Sequence, residues 1–181
     1  ATTSSTLNGR SCLKSTLTLN TTNIESGSGN YEIFYSSRFN NSQYDAYALF
    51  NCSTPSSASE AAFLGNQYST TSPFTYTQTN YLVESGYKGD WVCTKLTIPI
   101  IITSYTFYQR TTYLTGALKT FRLYASNNGT NWTTIQNITN ATYASNSYTS
   151  TVSGVTTPYL YYAIVVNAIN GNNILLNFNE W

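Results

Sequence analysis

The segment Phe121–Trp132, with the sequence FRLYASNNGTNW, constrains the fold of this chain more than any other stretch. Its side chains alternate, with Phe121 and Leu123 on one face and Arg122 on the other, which is the period of a β-strand. The strand runs into Asn-Asn-Gly, a strong signal for a tight hairpin turn. Trp132 begins the return strand, and its ring can fold back over the turn. The segment therefore predicts a core β-hairpin.

Other segments show the same alternation, and none shows the period of a helix. Turn-forming residues separate these segments at intervals of about a dozen residues, which is typical of a β-sandwich. The sequence therefore predicts an all-β, antiparallel jelly-roll β-sandwich. Besides the hairpin, the predicted strands are Leu13–Leu19, Tyr31–Tyr35, Gly89–Thr103, Ser104–Arg110, Tyr148–Val152, Tyr159–Ala168 and Ile174–Trp181. Pro99 is predicted either to end the strand that precedes it or to place that strand at the edge of a sheet.

The length of 181 residues suits one well-buried domain. Residues 1–30 are small and polar and end in a Gly-rich stretch, so they predict a Ser/Thr-rich leader or linker with one strand. The globular domain is predicted to span residues 31–181. Within it, Tyr44–Phe50 is a short apolar stretch that predicts a helical turn, and residues 53–80 predict long surface loops.

The composition excludes several classes of function. Charged residues make up 8% of the chain and the net charge is +1, so no surface for nucleic acid is predicted. No run of 18 apolar residues occurs, so no membrane insertion is predicted. Ser, Thr and Asn make up about two fifths of the chain and Tyr occurs 17 times, which is typical of a β-rich protein of an extracellular or virion surface.

Catalytic groups are scarce in this sequence. It contains no His, which removes the commonest general base and the commonest metal ligand. Its seven acidic residues form no recognisable pair or motif. The chain is therefore predicted not to be an enzyme. For metals, Asp90 with loop carbonyls is a weak calcium candidate, and the alternative is a turn aspartate that binds nearby backbone amides. No other cofactor is predicted.

Covalent modification is predicted at two kinds of residue. Three cysteines permit one disulfide, for which Cys52 and Cys93 are the candidate pair because each lies at the edge of a predicted strand. The odd cysteine count also fits a fragment of a longer protein. Seven Asn-x-Ser/Thr sequences are candidates for N-glycosylation, although several of these can arise by chance in a chain so rich in these residues. They are Asn20, Asn40, Asn51, Asn128, Asn131, Asn137 and Asn140.

Five segments, taken in order, carry a resemblance to a known family. They are Ser36-Ser37-Arg38 with Tyr44–Asn51, Gly89–Val92 with Leu96, Ser104–Arg110, Phe121–Trp132, and Tyr161–Val166 with Asn177–Trp181. This pattern resembles the discoidin, or coagulation-factor C-type, domain family of galactose-binding-like jelly rolls. The Ser/Thr/Tyr-rich strands and the closing Asn-Glu-Trp look most like domains in surface proteins of large DNA viruses of algae and protists.

The resemblance implies a glycan site in the loops at one end of the sandwich. In this sequence those loops correspond to Asn40–Tyr47, Gln67–Tyr87 and Tyr108–Tyr113. An aromatic surface can hold the C–H face of a sugar ring, and planar polar groups can bind its hydroxyls. The candidate residues are Tyr44, Tyr47, Tyr87, Tyr108, Arg110 and Tyr113. The alternative is that these tyrosines are packing residues, and that Arg110 pairs with Asp45 or Asp90.

Two departures from the family pattern affect these expectations. The family's Phe-Asp-Gly corresponds to Phe50-Asn51-Cys52 here, which removes a carboxylate from the loop that could hold calcium. The family's disulfide between its terminal strands cannot form within this sequence, because no Cys follows Cys93.

The sequence thus favours a non-enzymatic surface glycoprotein module of a virion or extracellular fibre that binds glycans or glycoproteins for attachment. One alternative is a purely structural capsid-vertex or filament subunit that associates with itself or with other capsid or fibre proteins. A third is an accessory carbohydrate-binding domain of a larger enzyme.

Overall fold

The computed structural model of the chain describes residues 2–19, 29–40, 44–51, 61–63, 65–110, 112–171 and 175–181. Within them the strands are β1 Thr3–Leu7, β2 Arg10–Leu19, β3 Gly29–Tyr35, β4 Ala61–Ala62, β5 Asp90–Ile100, β6 Ser104–Tyr108, β7 Leu118–Ser126, β8 Thr133–Ile138, β9 Ser147–Thr151, β10 Tyr159–Ile169 and β11 Asn177–Phe178. Short 3₁₀ helices span Ala46–Phe50 and Leu114–Gly116. No helix in this described part of the chain is long and apolar enough to cross a membrane.

Seven strands form one large antiparallel sheet in the order β1-β2-β3-β5-β10-β7-β8. Strand β10 lies between β5 and β7, and Ile164 pairs with Val92 on one side and with Leu123 on the other. The pairs β6–β9 and β4–β11 form two small antiparallel sheets. The predicted all-β antiparallel sandwich, with Tyr159–Ala168 as a central strand, is confirmed.

The main core lies between the large sheet and the two small ones. Phe107 of β6 is fully buried there, and its ring centroid lies 5.5 Å from that of Phe121 and 5.6 Å from those of Phe178 and Trp181. Burial of one such ring contributes about 1.5–3 kcal/mol to the free energy of unfolding. These aromatic contacts connect the C-terminal residues to strands from the middle of the chain.

A second apolar cluster covers the other face of the large sheet. Because side chains alternate along β5, Val92 points into the main core while Trp91 and Cys93 enter this second cluster. The guanidinium of Arg10 donates a hydrogen bond at 2.9 Å to the carbonyl of Leu82, a residue of this cluster.

The N-terminal residues take part in this architecture. The described residues 2–19 contain two strands, β1 and β2, whereas one strand was predicted for residues 1–30, and β2 pairs with β3 from Leu13↔Tyr35 to Leu19↔Gly29. Leu7 and Cys12 are buried in the second cluster. The large sheet therefore continues across the predicted boundary between residues 30 and 31.

The predicted core hairpin is confirmed by the pairing of β7 with β8. In its turn, the side-chain oxygen of Asn128 accepts hydrogen bonds from the backbone N–H groups of Thr130 and Asn131, at 2.9 and 2.8 Å. Gly129 has a φ of 70°, which a glycine adopts without strain. Trp132 is half-buried against the second cluster, with its ring 6.4 Å from that of Tyr161.

The predicted disulfide between Cys52 and Cys93 is not formed in this structure. Cys93 is a free thiol, and Cys52 lies outside the described residues. The side chain of Cys93 points into the second cluster, where burial raises the pKa of its thiol well above the ordinary value. A fully buried thiol of this kind packs as a small apolar side chain.

Candidate functional site

Most of the long loops gather at one end of the sandwich, which we call the loop end. Because the strands are antiparallel, the end of β3 lies beside the start of β5, and the end of β10 lies beside the start of β7. The connection from β6 to β7 passes through the same end. The described residues of the connecting segments at the loop end are 36–40, 44–51, 63, 65–89, 109–110, 112–117, 170–171 and 175–176.

One part of the loop end carries Tyr108, Arg110 and Tyr113, which together we call the aromatic face. The two tyrosine side chains are among the most exposed large apolar groups of the described chain, at 42% for Tyr108 and 43% for Tyr113. The guanidinium of Arg110 lies over the ring of Tyr113, with its central carbon 4.4 Å from the ring centroid. The structure therefore brings together three of the six residues predicted to bind a glycan.

Buried polar contacts hold the backbone beneath the aromatic face. Gln109 is fully buried, and its side-chain amide donates to the side-chain oxygen of Asn177 at 2.6 Å and to the carbonyl of Tyr113 at 3.1 Å. Tyr108 exchanges backbone hydrogen bonds with the C-terminal segment, donating to Glu180 at 3.0 Å and accepting from Asn179 at 2.8 Å. This support fixes the loop between β6 and β7, which is what a preorganised binding surface requires.

Two more of the residues predicted to bind a glycan lie near the 3₁₀ helix Ala46–Phe50, one just before it and one within it. Tyr47 is 40% exposed. Tyr44 is half-buried, and its ring packs edge-on against Phe39 with the centroids 5.6 Å apart. The helix is joined to the C-terminal segment because Leu49 accepts a hydrogen bond from the backbone of Trp181 at 2.8 Å. The C-terminal segment therefore holds both the helix that carries Tyr47 and the strand end that carries Tyr108.

A comparison with known protein families identifies the kind of domain that carries these features. The family model of the NedA-like, galactose-binding domain, of the F5/F8 type C group, matches residues 61–161. The chain belongs to this galactose-binding domain family. The resemblance to coagulation-factor C-type domains is thereby confirmed. No curated protein sequence matches the chain.

Solved structures with the same fold include modules from Clostridium perfringens. CpGH89CBM32-5, in complex with GalNAc-β-1,3-galactose, has a TM-score of 0.59 at 14% identity and covers 83% of this chain and 91% of its own. The family 32 carbohydrate-binding module of NanJ, in complex with galactose, has a TM-score of 0.56 at 16% identity, covering 83% and 90%. CBM32-3 from a family 31 glycoside hydrolase has a TM-score of 0.57 at 9% identity, covering 81% and 84%. Likeness at these identities establishes the fold.

Tyr87 is not part of the aromatic face of this galactose-binding domain. It packs against the second cluster, on the other side of the large sheet from the core that contains Phe107, and the guanidinium of Arg122 lies 3.9 Å from its ring centroid. Burial raises the pKa of Tyr87. The sequence placed Tyr87 in a loop but held no signal for which face of the sheet that loop would cover.

The two acidic residues considered as partners of Arg110 have other partners. The Asp45 carboxylate accepts hydrogen bonds from Thr2 and from the Tyr35 hydroxyl, the latter at 2.9 Å, and pairs with Arg38 at 3.2 Å. Burial would raise its pKa, but these hydrogen bonds outweigh burial and keep the pKa below its ordinary value. Asp45 therefore fastens the start of the 3₁₀ helix to β3.

Asp90, the calcium candidate, lies at the base of the loop end. Its side chain is fully buried, and one carboxylate oxygen accepts from the hydroxyls of Ser36 at 2.8 Å and Ser37 at 3.0 Å. Burial raises the pKa of Asp90 to about 7. Among the described residues, no group of three or more His, Cys, Asp or Glu side chains is placed to hold a metal ion. A carboxylate that serine hydroxyls already bind, without acidic neighbours, is poorly suited to calcium.

The candidate glycosylation sites are spread over the surface. Asn128 and Asn131 are exposed in the β7–β8 turn, at the opposite end from the aromatic face. Asn40, Asn137 and Asn140 are also exposed, whereas Asn51 is half-buried and Asn20 lies outside the described residues. Glycosylation at these positions stays a prediction.

Proposed function

We propose that this galactose-binding domain is a non-catalytic glycan-binding module and that its aromatic face contacts the sugar. The observation that carries the proposal is the exposed pair of tyrosine rings with a guanidinium over one of them, held on buried polar support. A tyrosine ring provides an apolar surface for the C–H face of a pyranose, and the guanidinium provides planar donors for its hydroxyls. The neighbouring folds solved with galactose and GalNAc-β-1,3-galactose suggest galactose-type sugars as the first ligands to test.

Binding is proposed to need no metal ion. The groups of the aromatic face are neutral or cationic, and the calcium candidate Asp90 is buried away from solvent. We therefore expect the affinity for a glycan to be unchanged by a chelator such as EDTA.

A glycan array followed by calorimetry with galactose and GalNAc tests the proposal. Tyr108→Ala and Tyr113→Ala are each expected to weaken sugar binding about tenfold, and Tyr44→Ala is expected to weaken it only if the segment before the 3₁₀ helix takes part. Tyr81→Ala is the matched control, because Tyr81 also lies under a guanidinium, that of Arg10 at 4.0 Å, but directly before Leu82 of the second cluster. Unchanged binding by both the Tyr108 and the Tyr113 variants would contradict the proposed site.

The proposed setting is the surface of a virion or extracellular fibre, with glycan recognition serving attachment. The exposed glycosylation candidates and the small net charge support an extracellular location. An accessory domain of a larger carbohydrate-active enzyme is the alternative setting, which the module from a family 31 glycoside hydrolase supports. The intact mass of the native protein would report both attached sugar and any additional domain.

A structural subunit is a second candidate function, and one observation favours it. Ile98 and Ile101 flank Pro99 and Ile100 at the end of β5, and their side chains are 47% and 45% exposed. Exposed isoleucines close together on a surface favour contact with another protein surface. Ordered self-association in sedimentation, together with no binding on the glycan array, would favour this role over glycan recognition.

A further inference from the structure

A polar cleft opens at the loop end and shares no residue with the aromatic face. It has a volume of about 410 Å³ and lies where the chain leaves β3 and meets the loop between β4 and β5. We call it the polar cleft. Its lining residues are Ser36, Ser37, Gly65, Asn66, Gln67, Tyr76, Gln78, Thr79 and Asn80.

Every lining side chain of the polar cleft is neutral, and most of them carry a hydrogen-bonding group. Four of the lining residues are carboxamides, and the others with functional groups carry hydroxyls. A carboxamide offers two donors and an acceptor in one plane, and a hydroxyl offers both roles. Such a lining matches a neutral ligand with several hydroxyl groups, and it offers no opposite charge to a phosphate, a carboxylate or an amine.

The floor of the polar cleft is held by a directed chain of hydrogen bonds. The Tyr76 hydroxyl donates to the Oε1 atom of Gln67 at 2.6 Å, and the Nε2 atom of Gln67 donates to Ser37 at 3.3 Å. Ser37 donates in turn to the carboxylate of Asp90 at 3.0 Å. Tyr76, Gln67 and Ser37 are buried. These hydrogen bonds fix which atoms of the floor are donors and which are acceptors before any ligand binds.

Hydrogen bonds to the backbone hold both walls of the polar cleft in place. Ser36 donates its backbone N–H to the carbonyl of Trp91 at 3.0 Å and its side-chain oxygen accepts from the Trp91 N–H at 3.1 Å. On the other wall, Thr77 donates to the carbonyl of Gln67 at 2.8 Å, and Asn80 accepts from Gly89 at 3.1 Å. Both walls are thus tied to rigid backbone near the start of β5, so the cleft is preformed.

We propose that the polar cleft is a second carbohydrate-binding site that takes one neutral hexose or N-acetylhexosamine unit. The volume lies near the lower end of the range of about 300–1,000 Å³ for small-molecule sites, which suits a single sugar residue. The site is independent of the aromatic face, and the proposal holds whether or not the aromatic face binds glycans. Two sites on one end of the domain would let a branched or repeating glycan bind with increased avidity.

Backbone and side-chain amide NMR of the ¹⁵N-labelled chain, titrated separately with galactose, glucose and N-acetylglucosamine, tests this site. At least one of these sugars is expected to shift the amides of residues 65–67 and 78–80. The shifts are expected to persist in Tyr113→Ala, which removes a ring from the aromatic face. Shifts confined to residues 108–113 with all three sugars would overturn the polar cleft as a site while leaving the aromatic face supported.

Variants separate binding at the polar cleft from general loss of structure. Gln78→Ala removes an exposed carboxamide from the lining of the polar cleft. Within the described residues, this side chain donates a hydrogen bond to the hydroxyl of the neighbouring Thr77, so we expect the variant to keep the fold. It is expected to weaken sugar binding at the cleft about fivefold. Asn137→Ala is the matched control, because Asn137 is an exposed carboxamide on β8. Equal affinities for Gln78→Ala and Asn137→Ala would overturn the proposal.

A second substitution tests the hydrogen-bonded floor. Tyr76→Phe removes the donor to Gln67 without changing the ring, and it is expected to weaken sugar binding at the cleft by at least as much as Gln78→Ala. The spectrum of the free variant shows whether the loop keeps its structure. A folded Tyr76→Phe variant with the affinity of the original chain would contradict the preorganised floor.

Discussion

The guanidinium of Arg110 lies 4.4 Å from the ring centroid of Tyr113, on a loop whose backbone is fixed from below by Gln109. An attraction of this kind contributes about 0.5–1 kcal/mol at an exposed site. The contact holds a set of planar donors beside an exposed apolar ring. Both the exposed ring and the planar donors therefore depend on how the connection between β6 and β7 is held in place.

If the ring of Tyr113 supplies the sugar-binding surface, its hydroxyl is dispensable. Tyr113→Phe is expected to keep galactose or GalNAc affinity within about twofold, whereas Tyr113→Ala is expected to weaken it about tenfold, or about 1.4 kcal/mol. Calorimetry with each variant measures the difference. An equal loss in the Phe and Ala variants would show that the hydroxyl, and not the ring, carries the contact.

The buried Asp90 makes the stability of the domain depend on pH. Its folded pKa of about 7 lies above the ordinary value of 3.8, so the folded protein holds a proton that the unfolded chain releases between these values. The contribution of this proton to the free energy of unfolding is therefore fully present below about pH 4, and it is lost as the pH rises through 7. The difference between the two pKa values corresponds to roughly 4 kcal/mol at most.

Asp90→Asn removes this titration while keeping an oxygen that can accept from Ser36 and Ser37. We expect the variant to be more stable than the original chain at pH 8 and to show a flatter pH dependence between 4 and 7, as measured by urea unfolding. Asp45→Asn is the contrasting control, because the lowered pKa of Asp45 predicts a loss of stability at pH 7. A lower stability of Asp90→Asn at pH 8 would contradict the raised pKa.

Gly89 is required at the start of β5 because there is no room for a side chain. A Cβ atom at this position would overlap the backbone carbonyl of Val166 on β10. Gly89→Ala is therefore expected to lower the free energy of unfolding by at least about 3 kcal/mol. Gly86→Ala is the matched control, since a Cβ at Gly86 has no neighbour within 4 Å. Similar unfolding midpoints for the two variants would contradict this close packing.

Glu32 on β3 joins three strands of the large sheet through its side chain. Its two carboxylate oxygens lie 2.9 Å from the Lys14 amine on β2 and 2.8 Å from the Lys95 amine on β5. Hydrogen bonds from Lys95 and Lys14 lower the pKa of Glu32 below 4.5. Its stabilising contribution is therefore present above that pH and is lost as the pH falls through the lower folded value.

Glu32→Gln is expected to lower the free energy of unfolding by about 1 kcal/mol at pH 7 and low salt. The difference from the original chain should shrink in acid and in high salt, which denaturant titrations at several pH values would measure. Glu84→Gln is expected to cost less, because Glu84 is about half exposed and, within the described residues, pairs with a single cation, Arg122. A Glu32 effect that is independent of pH would contradict the ion-pair origin.

The loops before β5 are only partly predictable from the sequence. The family resemblance predicts a loop over residues 67–87 and gives Tyr87 as its candidate binding residue, whereas in the structure Tyr87 packs against Arg122 on the second cluster. The carboxamides that line the polar cleft stand in the same stretch, and their frequency was the available signal. Nothing local to that stretch indicates that Gln67 would meet Ser37, thirty positions earlier in the chain.

The sequence alone determined most of the strands, the hairpin turn and the two faces of β7, because the two-residue alternation of a strand and the turn preference of Asn-Gly are properties of neighbouring residues. The family pattern added the fold. Only the tertiary structure decided that residues 3–7 and 10–19 join the large sheet, that Asp90 is buried, and which loop residues share a cleft. Those outcomes depend on contacts between residues far apart in the chain, and such contacts are fixed by packing and burial of the whole domain.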